Sequence, residues 1–173
     1  DITVLHARLL ANYQAQTIHG QMPVNIPDAS KYSLETLRKA LFGEELSYQF
    51  KSHDLNREGE ATSVVAGGNL SLLIAILNSA SDYNYDGKIL FIEDVGEYLY
   101  SVDRMVRTLD RAGKLKNLAG LIVGGFTDLK DNDIPFGQTV PEIIMGVVKN
   151  YNYPVCFDFP AGHIHDNQSL IFG

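Results

Sequence analysis

Lys88-Ile89-Leu90-Phe91-Ile92-Glu93-Asp94-Val95-Gly96-Glu97 is a short apolar run that ends in acid. Asp86-Gly87 precedes it and Gly96 follows, so the run from Ile89 into Glu93 reads as a buried strand between turns. A carboxylate at the end of a buried strand is costly unless it has a partner or a task. The expected task of Glu93 is to orient a histidine that lies far downstream.

Outward from this strand, β-like and helical patterns alternate. Before it, Thr62 to Ala66 is β-like and ends in Gly67-Gly68-Asn69, and Leu70 to Leu77 continues as an apolar helix. A strand, a glycine pair and an Asn cap either aim backbone amides into a cleft or only make the turn. No phosphate-loop Lys-Ser/Thr accompanies them, so a nucleotide site is not indicated. After the strand, a helix is predicted from about Tyr98 to Ala112, with Val102, Met105, Val106 and Leu109 as its apolar stripe and Gly113 as its stop. Leu118 to Val123 is the next strand, ended by Gly124-Gly125. Thr127 to Gln138 is a polar surface loop whose Asp128, Asp131 and Asp133 lack calcium-loop spacing. Thr139 caps a helix to about Asn150, Pro154 to Phe159 is a strand, and Ser169 to Phe172 is a last one. From residue 60 the order is strand, helix, strand, helix, strand, helix, strand, strand, an α/β layer architecture.

The first sixty residues read differently. Ile2, Leu5, Leu9 and Tyr13 recur at helical spacing and predict a helix with that face buried. Gln16 to Gly20 is a short strand into a turn, with His19 as a loop or core histidine. Ser33 is the expected cap of a helix over Leu34 to Leu41, buried through Leu34, Leu37 and Leu41 and stopped by Gly43. Leu46, Tyr48 and Phe50 alternate with polar residues, the pattern of a half-exposed strand. A boundary between two structural units is placed near residues 44–60.

Bulk properties narrow the function classes. The chain has 173 residues, a formal charge of −7, and hydrophobic and charged fractions of 45% and 20%. That is the composition of an ordinary globular protein, and its charge argues against nucleic acid or anionic membrane as partner. No apolar run approaches a membrane span. The single cysteine, Cys156, allows neither an internal disulfide nor a cysteine-based zinc site, and its apolar setting reads as a core strand.

Glu93 at one strand end and His163 just beyond another occupy the places where α/β proteins build sites. A carboxylate and a histidine need only a nucleophile to make a hydrolytic set. Spacing leaves two alternatives open: a structural Glu and a loop His, or a metal site from His163, His165 and Asp166 with Glu93 or Asp94.

Several stretches together resemble the LD-carboxypeptidase family, serine peptidases of peptidoglycan recycling grouped with the microcin C self-immunity peptidases. They are Gly67-Gly68-Asn69-Leu70-Ser71-Leu72-Leu73, the run from Gly87 to Glu97, Asp103-Arg104-Met105, Leu118 to Phe126, and Gly162-His163 with Asn167. Asp1 to His6 and His19-Gly20-Gln21-Met22 are similar to the family's N-terminal domain, with Gln21 where the family has Pro. The resemblance implies a Ser-Glu-His set in which Glu93 and His163, not His165, are the second and third members. It matches Asp1 to the Asp of a Gly-x-Ser-Asp turn, whose backbone N–H helps form the oxyanion hole. The nucleophilic Ser is then expected immediately before Asp1, and this polypeptide alone is expected to be inactive. Asn69 is an expected substrate-binding residue.

The resemblance further implies a swivelling β/α C-terminal domain over residues 51–173 and the tail of an N-terminal α/β domain over residues 1–50. It implies a cytoplasmic enzyme with a small muropeptide substrate, cut at an L–D amide bond to release terminal D-alanine, and no metal or organic cofactor. Family members are often dimers. The rival expectation is a non-catalytic module that binds peptidoglycan peptides or microcin-like ligands.

Overall fold

The computed structural model describes residues 2–173. Its elements, in chain order, are α1 (Ile2–Tyr13), β1 (Thr17–His19), a 3₁₀ turn (Pro23–Asp28), α2 (Lys31–Phe42), β2 (Val65–Asn69), α3 (Leu70–Ala75), β3 (Ile89–Val95), α4 (Leu99–Arg111), β4 (Gly120–Thr127), α5 (Val140–Val148), β5 (Val155–Cys156) and β6 (Leu170–Phe172). Among the described residues, β2, β3, β4 and β5 form a parallel sheet in that order, and β1 pairs antiparallel with β6 in a separate ribbon. The predicted order of elements from residue 60 is the observed one. The final strand, however, leaves the parallel sheet and pairs with β1.

Side chains alternate along β3 with period two. Leu90 and Ile92 enter a core made with α1, α3, α4 and α5, through residues such as Leu10, Leu70, Val106 and Ile144. Phe91 points the other way, into a second cluster with Phe159, Ala161, Leu170 and Phe172. Helices thus cover one face of the sheet, and the β1–β6 ribbon with the 157–161 segment covers the other. Glu93 shares its face with Phe91, and Asp94 shares its face with Ile92. This parity decides which acid meets the histidine.

Local rules explain most boundaries. Val102, Met105, Val106 and Leu109 are the buried stripe of α4, as their spacing predicts. α5 starts with a complete capping box, Thr139 and Glu142 each satisfying the other's backbone. Its last turn is closed by Arg57, which donates to the carbonyls of Val148 (3.0 Å), Tyr153 (3.3 Å) and Tyr151. A cation at a helix C-terminus complements the dipole as well as the orphan carbonyls.

Several expectations are corrected. In α1 the buried residues are Thr3, His6, Ala7 and Leu10, while Ile2, Leu5 and Tyr13 are exposed. That face turns inward because the helix lies close on β2, where a Cβ on Gly68 would come within 2.8 Å of Thr3. In α2 the cap is Ser30, not Ser33. Ser30 accepts from the Ser33 N–H at 3.0 Å, and Ser33, Thr36 and Ala40 are buried while Leu34 and Leu41 are exposed. Gly43 ends the helix with φ 68°, as expected. Residues 46–50 form no strand. Tyr48 and Phe50 pack on Phe159, so their alternation records side-chain burial without a hydrogen-bonded ladder. The helix after Asn69 ends at Ala75, and the strand predicted over Pro154 to Phe159 shrinks to Val155–Cys156. Both glycine pairs lie inside strands rather than after them. At Gly67 a Cβ would sit 1.9 Å from the Phe91 carbonyl oxygen, so the pair serves close approach, not a turn.

Candidate active site

Glu93 is set by β3 two residues before the strand ends, with Asn69 of β2 as its register neighbour. On the other side the β3–β4 ladder shifts register between Ile92 and Asp94, where Gly124 and Gly125 stand opposite Glu93 alone. This is a bulge at the sheet's C-terminal end, a common device for re-aiming a site residue. The glycines admit the segment that carries the histidine. Gly125 N–H donates to the Ala161 carbonyl at 2.9 Å, and a Cβ on Gly124 would come within 2.4 Å of that same oxygen.

Next in the chain, Gly162 adopts φ 108° and lies so close to Glu93 that a Cβ would meet the acid's Cβ at 2.9 Å. His163 follows. Its Nδ1 lies 2.6 Å from Glu93 Oε2, and its backbone N–H donates to the same oxygen at 3.3 Å. The carboxylate is 2% exposed and the imidazole 54%. One end of the pair is therefore anchored in the protein and the other faces the cleft. Burial pushes the Glu93 carboxyl above its ordinary range, and the hydrogen bond and charge of His163 pull against that rise. With Nδ1–H donating to the acid, Nε2 is left free to accept a proton. Thr127 Oγ1 holds the His163 carbonyl at 2.8 Å, and Asn167 Oδ1 accepts from the Gly162 N–H at 2.9 Å. Both ends of the loop are thus tied.

The pair opens into a cavity of about 410 Å³ whose walls include His6, His19, Gly20, Asp128, His163 and His165. His19 is nine-tenths buried against Phe91 and Phe172, and burial lowers its pKa to about 4, with the charges of His6 and His163 adding to the effect. It is the core histidine expected from sequence, although it also reaches the cavity wall. His6 lines that wall too and bonds Thr17 Oγ1 through Nδ1 at 2.8 Å. Its placement was not anticipated, because the helical pattern of α1 marked the opposite face.

Asp94, on the other face of β3, accepts from Asn69 Nδ2 at 2.8 Å and from the N–H groups of Ser71 and Val95, both at 2.9 Å. Asn69 is buried, and its side-chain oxygen caps α3 by accepting from Leu72 N–H at 3.3 Å and from Ser71 Oγ at 2.7 Å. Asn69, the expected substrate-binding residue, therefore ties β2, β3 and α3 together directly beside Glu93. The metal alternative does not assemble. Asp94 faces away from Glu93, Asp166 bonds Ser30 Oγ and Gln168 Nε2, and among the described residues no group of three His, Cys, Asp or Glu is placed to hold a metal ion. Cys156 is half-buried and burial pushes its thiol up, opposite to the shift that activates a nucleophile. Asp1, the expected oxyanion residue, lies outside the described residues.

A carboxylate–histidine pair thus stands at the C-terminal end of an α/β sheet, where such folds build their sites. Residues 62–173 match the LD-carboxypeptidase C-terminal domain, and the chain belongs to that family. It is 29% identical over its whole length to a probable murein peptide carboxypeptidase of Bacillus subtilis and 30% identical over 91% of its length to a putative carboxypeptidase of Synechocystis. It spans 56% and 52% of those relatives. A muramoyltetrapeptide carboxypeptidase from Oxalobacter formigenes superposes on all of the chain with a TM-score of 0.89 at 29% identity, and 60% of that protein is covered. The microcin C7 self-immunity protein MccF shares the fold, with a TM-score of 0.76 at 21% identity over 99% of this chain and 60% of that one.

Proposed function

We propose that this chain carries the base and the orienting acid of a serine carboxypeptidase acting on murein peptides. The observation that carries the proposal is the 2.6 Å contact between His163 Nδ1 and the buried Glu93 carboxylate at the mouth of a cavity. In this reading Glu93 fixes the imidazole tautomer and stabilises the imidazolium, while Nε2 takes the proton of a serine hydroxyl as it attacks the amide carbonyl. The same imidazolium then gives its proton to the leaving amine, here the terminal D-amino acid. The nucleophile comes from outside the described residues, from a segment corresponding to the part of the relatives that this chain does not span. The enzyme works in the cytoplasm on muropeptides cut at an L–D bond, and the chain alone does not turn over.

The test is a chimera that joins the preceding portion of the Bacillus subtilis relative to this chain, assayed for D-alanine release from a tetrapeptide ending in an L–D bond. Activity is expected in the chimera and absent from the chain alone. Glu93→Gln and His163→Ala should each lower kcat by at least about a hundredfold, and His165→Ala should have a milder effect. A folded chimera without activity refutes the proposal, and equal loss at His165 refutes the choice of histidine.

A further inference from the structure

β3 carries a second buried acid that the catalytic pair does not use. Asp94 is 1% exposed and follows Glu93 on the opposite face of the strand. Removing a carboxylate from water is costly, and here three donors offset that cost: Asn69 Nδ2 at 2.8 Å and the N–H groups of Ser71 and Val95, both at 2.9 Å. Leu90 and Ile92 fill the same face with apolar side chains and no such cost. Asp94 therefore does something that filling the face does not require.

What it holds is the last residue of β2. Asn69 is the register partner of Glu93. Its side-chain amide donates to Asp94, its side-chain oxygen caps α3, and its backbone N–H donates to Thr3 Oγ1 at 3.1 Å. Thr3 lies in the first turn of α1 and is 2% exposed, so close on β2 that a Cβ on Gly68 would come within 2.8 Å of its hydroxyl oxygen. On the other flank of β3 the ladder to β4 is interrupted at Glu93. A bulge leaves its residue unpaired, so the β2 flank is the one that fixes the strand end.

We infer that Asp94, Asn69 and Thr3 form a hydrogen-bonded bridge that sets the first turn of α1 against the end of β3, and that they are positioning residues for the hydrolytic step. This rests on the peptidase reading, in which the serine precedes α1 and Glu93 holds the base. The bridge joins the helix that follows the nucleophile to the strand that carries the acid. None of the three is among the described residues that line the cavity, so they act by placement and not by touching substrate. The serine Oγ and His163 Nε2 must come within hydrogen-bond reach, and a misplacement of about 1 Å can cost about a hundredfold in rate.

Two measurements test the bridge. In the chain itself, hydrogen exchange at the Asn69 amide reads the bond to Thr3. Asp94→Asn turns one acceptor into a donor that faces another donor, and Thr3→Val removes the hydroxyl with little change of shape. Each should speed that exchange about tenfold, the size of one ordinary hydrogen bond, while the His163 Nδ1 proton stays bonded to Glu93. In the chimera, assayed where urea unfolding shows every variant folded, each should lower kcat at least about tenfold with KM changed less than about twofold. The double variant should lose little more than either single one, since both changes break the same bridge, and Thr3→Ser should restore most of kcat. If Asp94→Asn does not fold, Thr3→Val decides alone: the Asn69 Nδ2 protons that face Asp94 should shift, and no shift overturns the inference. Unchanged exchange at Asn69 in the Asp94→Asn chain, or folded variants of an active chimera with unchanged kcat, also overturns it. An inactive chimera refutes the peptidase reading instead, and the exchange measurement on the chain still decides the bridge.

Discussion

Gly162→Ala tests whether the histidine loop and the buried acid are as close as described. The substitution adds one methyl in a place with no room: 2.9 Å from Glu93 Cβ, 3.0 Å from Cγ and 3.0 Å from Oε2. The acid cannot step aside, because it is 2% exposed and its carboxylate already holds His163. Two costs therefore add. An alanine at φ 108° strains the backbone by about 1–3 kcal/mol. Forcing a methyl into a packed site costs about 1–3 kcal/mol more. The expected loss of stability is about 2–6 kcal/mol, read from urea unfolding with an unchanged slope. Gly43→Ala supplies the control. Gly43 has φ 68° and nothing within 4 Å of where an added methyl would stand, so it reports a left-handed backbone cost alone, about 1–2 kcal/mol. The second readout is the imidazole Nδ1 proton, which should lose its downfield resonance as the bond to Glu93 opens. If Gly162→Ala costs no more than Gly43→Ala and the proton stays, the close approach is wrong and so is the account of the site.

Three further outcomes follow from charges and caps. His19 falls from 6.5 to about 4 on folding, so the native state resists its protonation; stability is fully present above pH 6.5 and is lost as pH falls toward 4, by about 3 kcal/mol. His19→Phe should flatten that limb of a pH series of urea midpoints, and an unchanged limb would contradict the buried placement. Glu93 has the opposite sign: its folded pKa is raised, so it favours the fold below pH 4.5 and the advantage disappears as pH rises through the folded value. Glu93→Gln should therefore gain stability relative to the unmodified chain between acid and neutral pH while removing activity in the chimera; a flat difference across that range would argue against burial of the charge. Arg57→Ala should cost about 1–3 kcal/mol by freeing the Val148 carbonyl at the end of α5 and the Tyr153 carbonyl beyond it, and a change below about 0.5 kcal/mol in thermal or urea unfolding would make the cap ornamental.

Periodicity succeeded where one helix or strand buries one continuous stripe. α4 and the order of strands and helices from residue 60 were legible for that reason, and so was the acid at the end of β3. It failed in α1 and α2. The apolar spacing marks one face of each, but the close approach of β2 to α1 and of the 165–169 segment to α2 buries another. The glycine pairs were legible as special positions and misjudged as turns, because a close approach involves a neighbour distant in sequence. For the site, Glu93 and His163 were named from motifs. Thr127, His6 and Asp128 carry no sequence signal of their own, since each gains its place from a bulge, a helix face or a turn held by another segment.

The sequence by itself determined the alternation of elements, the Thr139 start of α5 and the acid near the end of a buried strand. The parity of β3 alone places Glu93 and Asp94 on opposite faces, but not which face holds the histidine. Only the tertiary structure decided that, by folding the 157–163 segment and the β1–β6 ribbon over Phe91 while helices took the side of Ile92. The physical reason is that a strand's two faces are set locally by its pleat, whereas what covers each face is set by contacts some seventy residues apart.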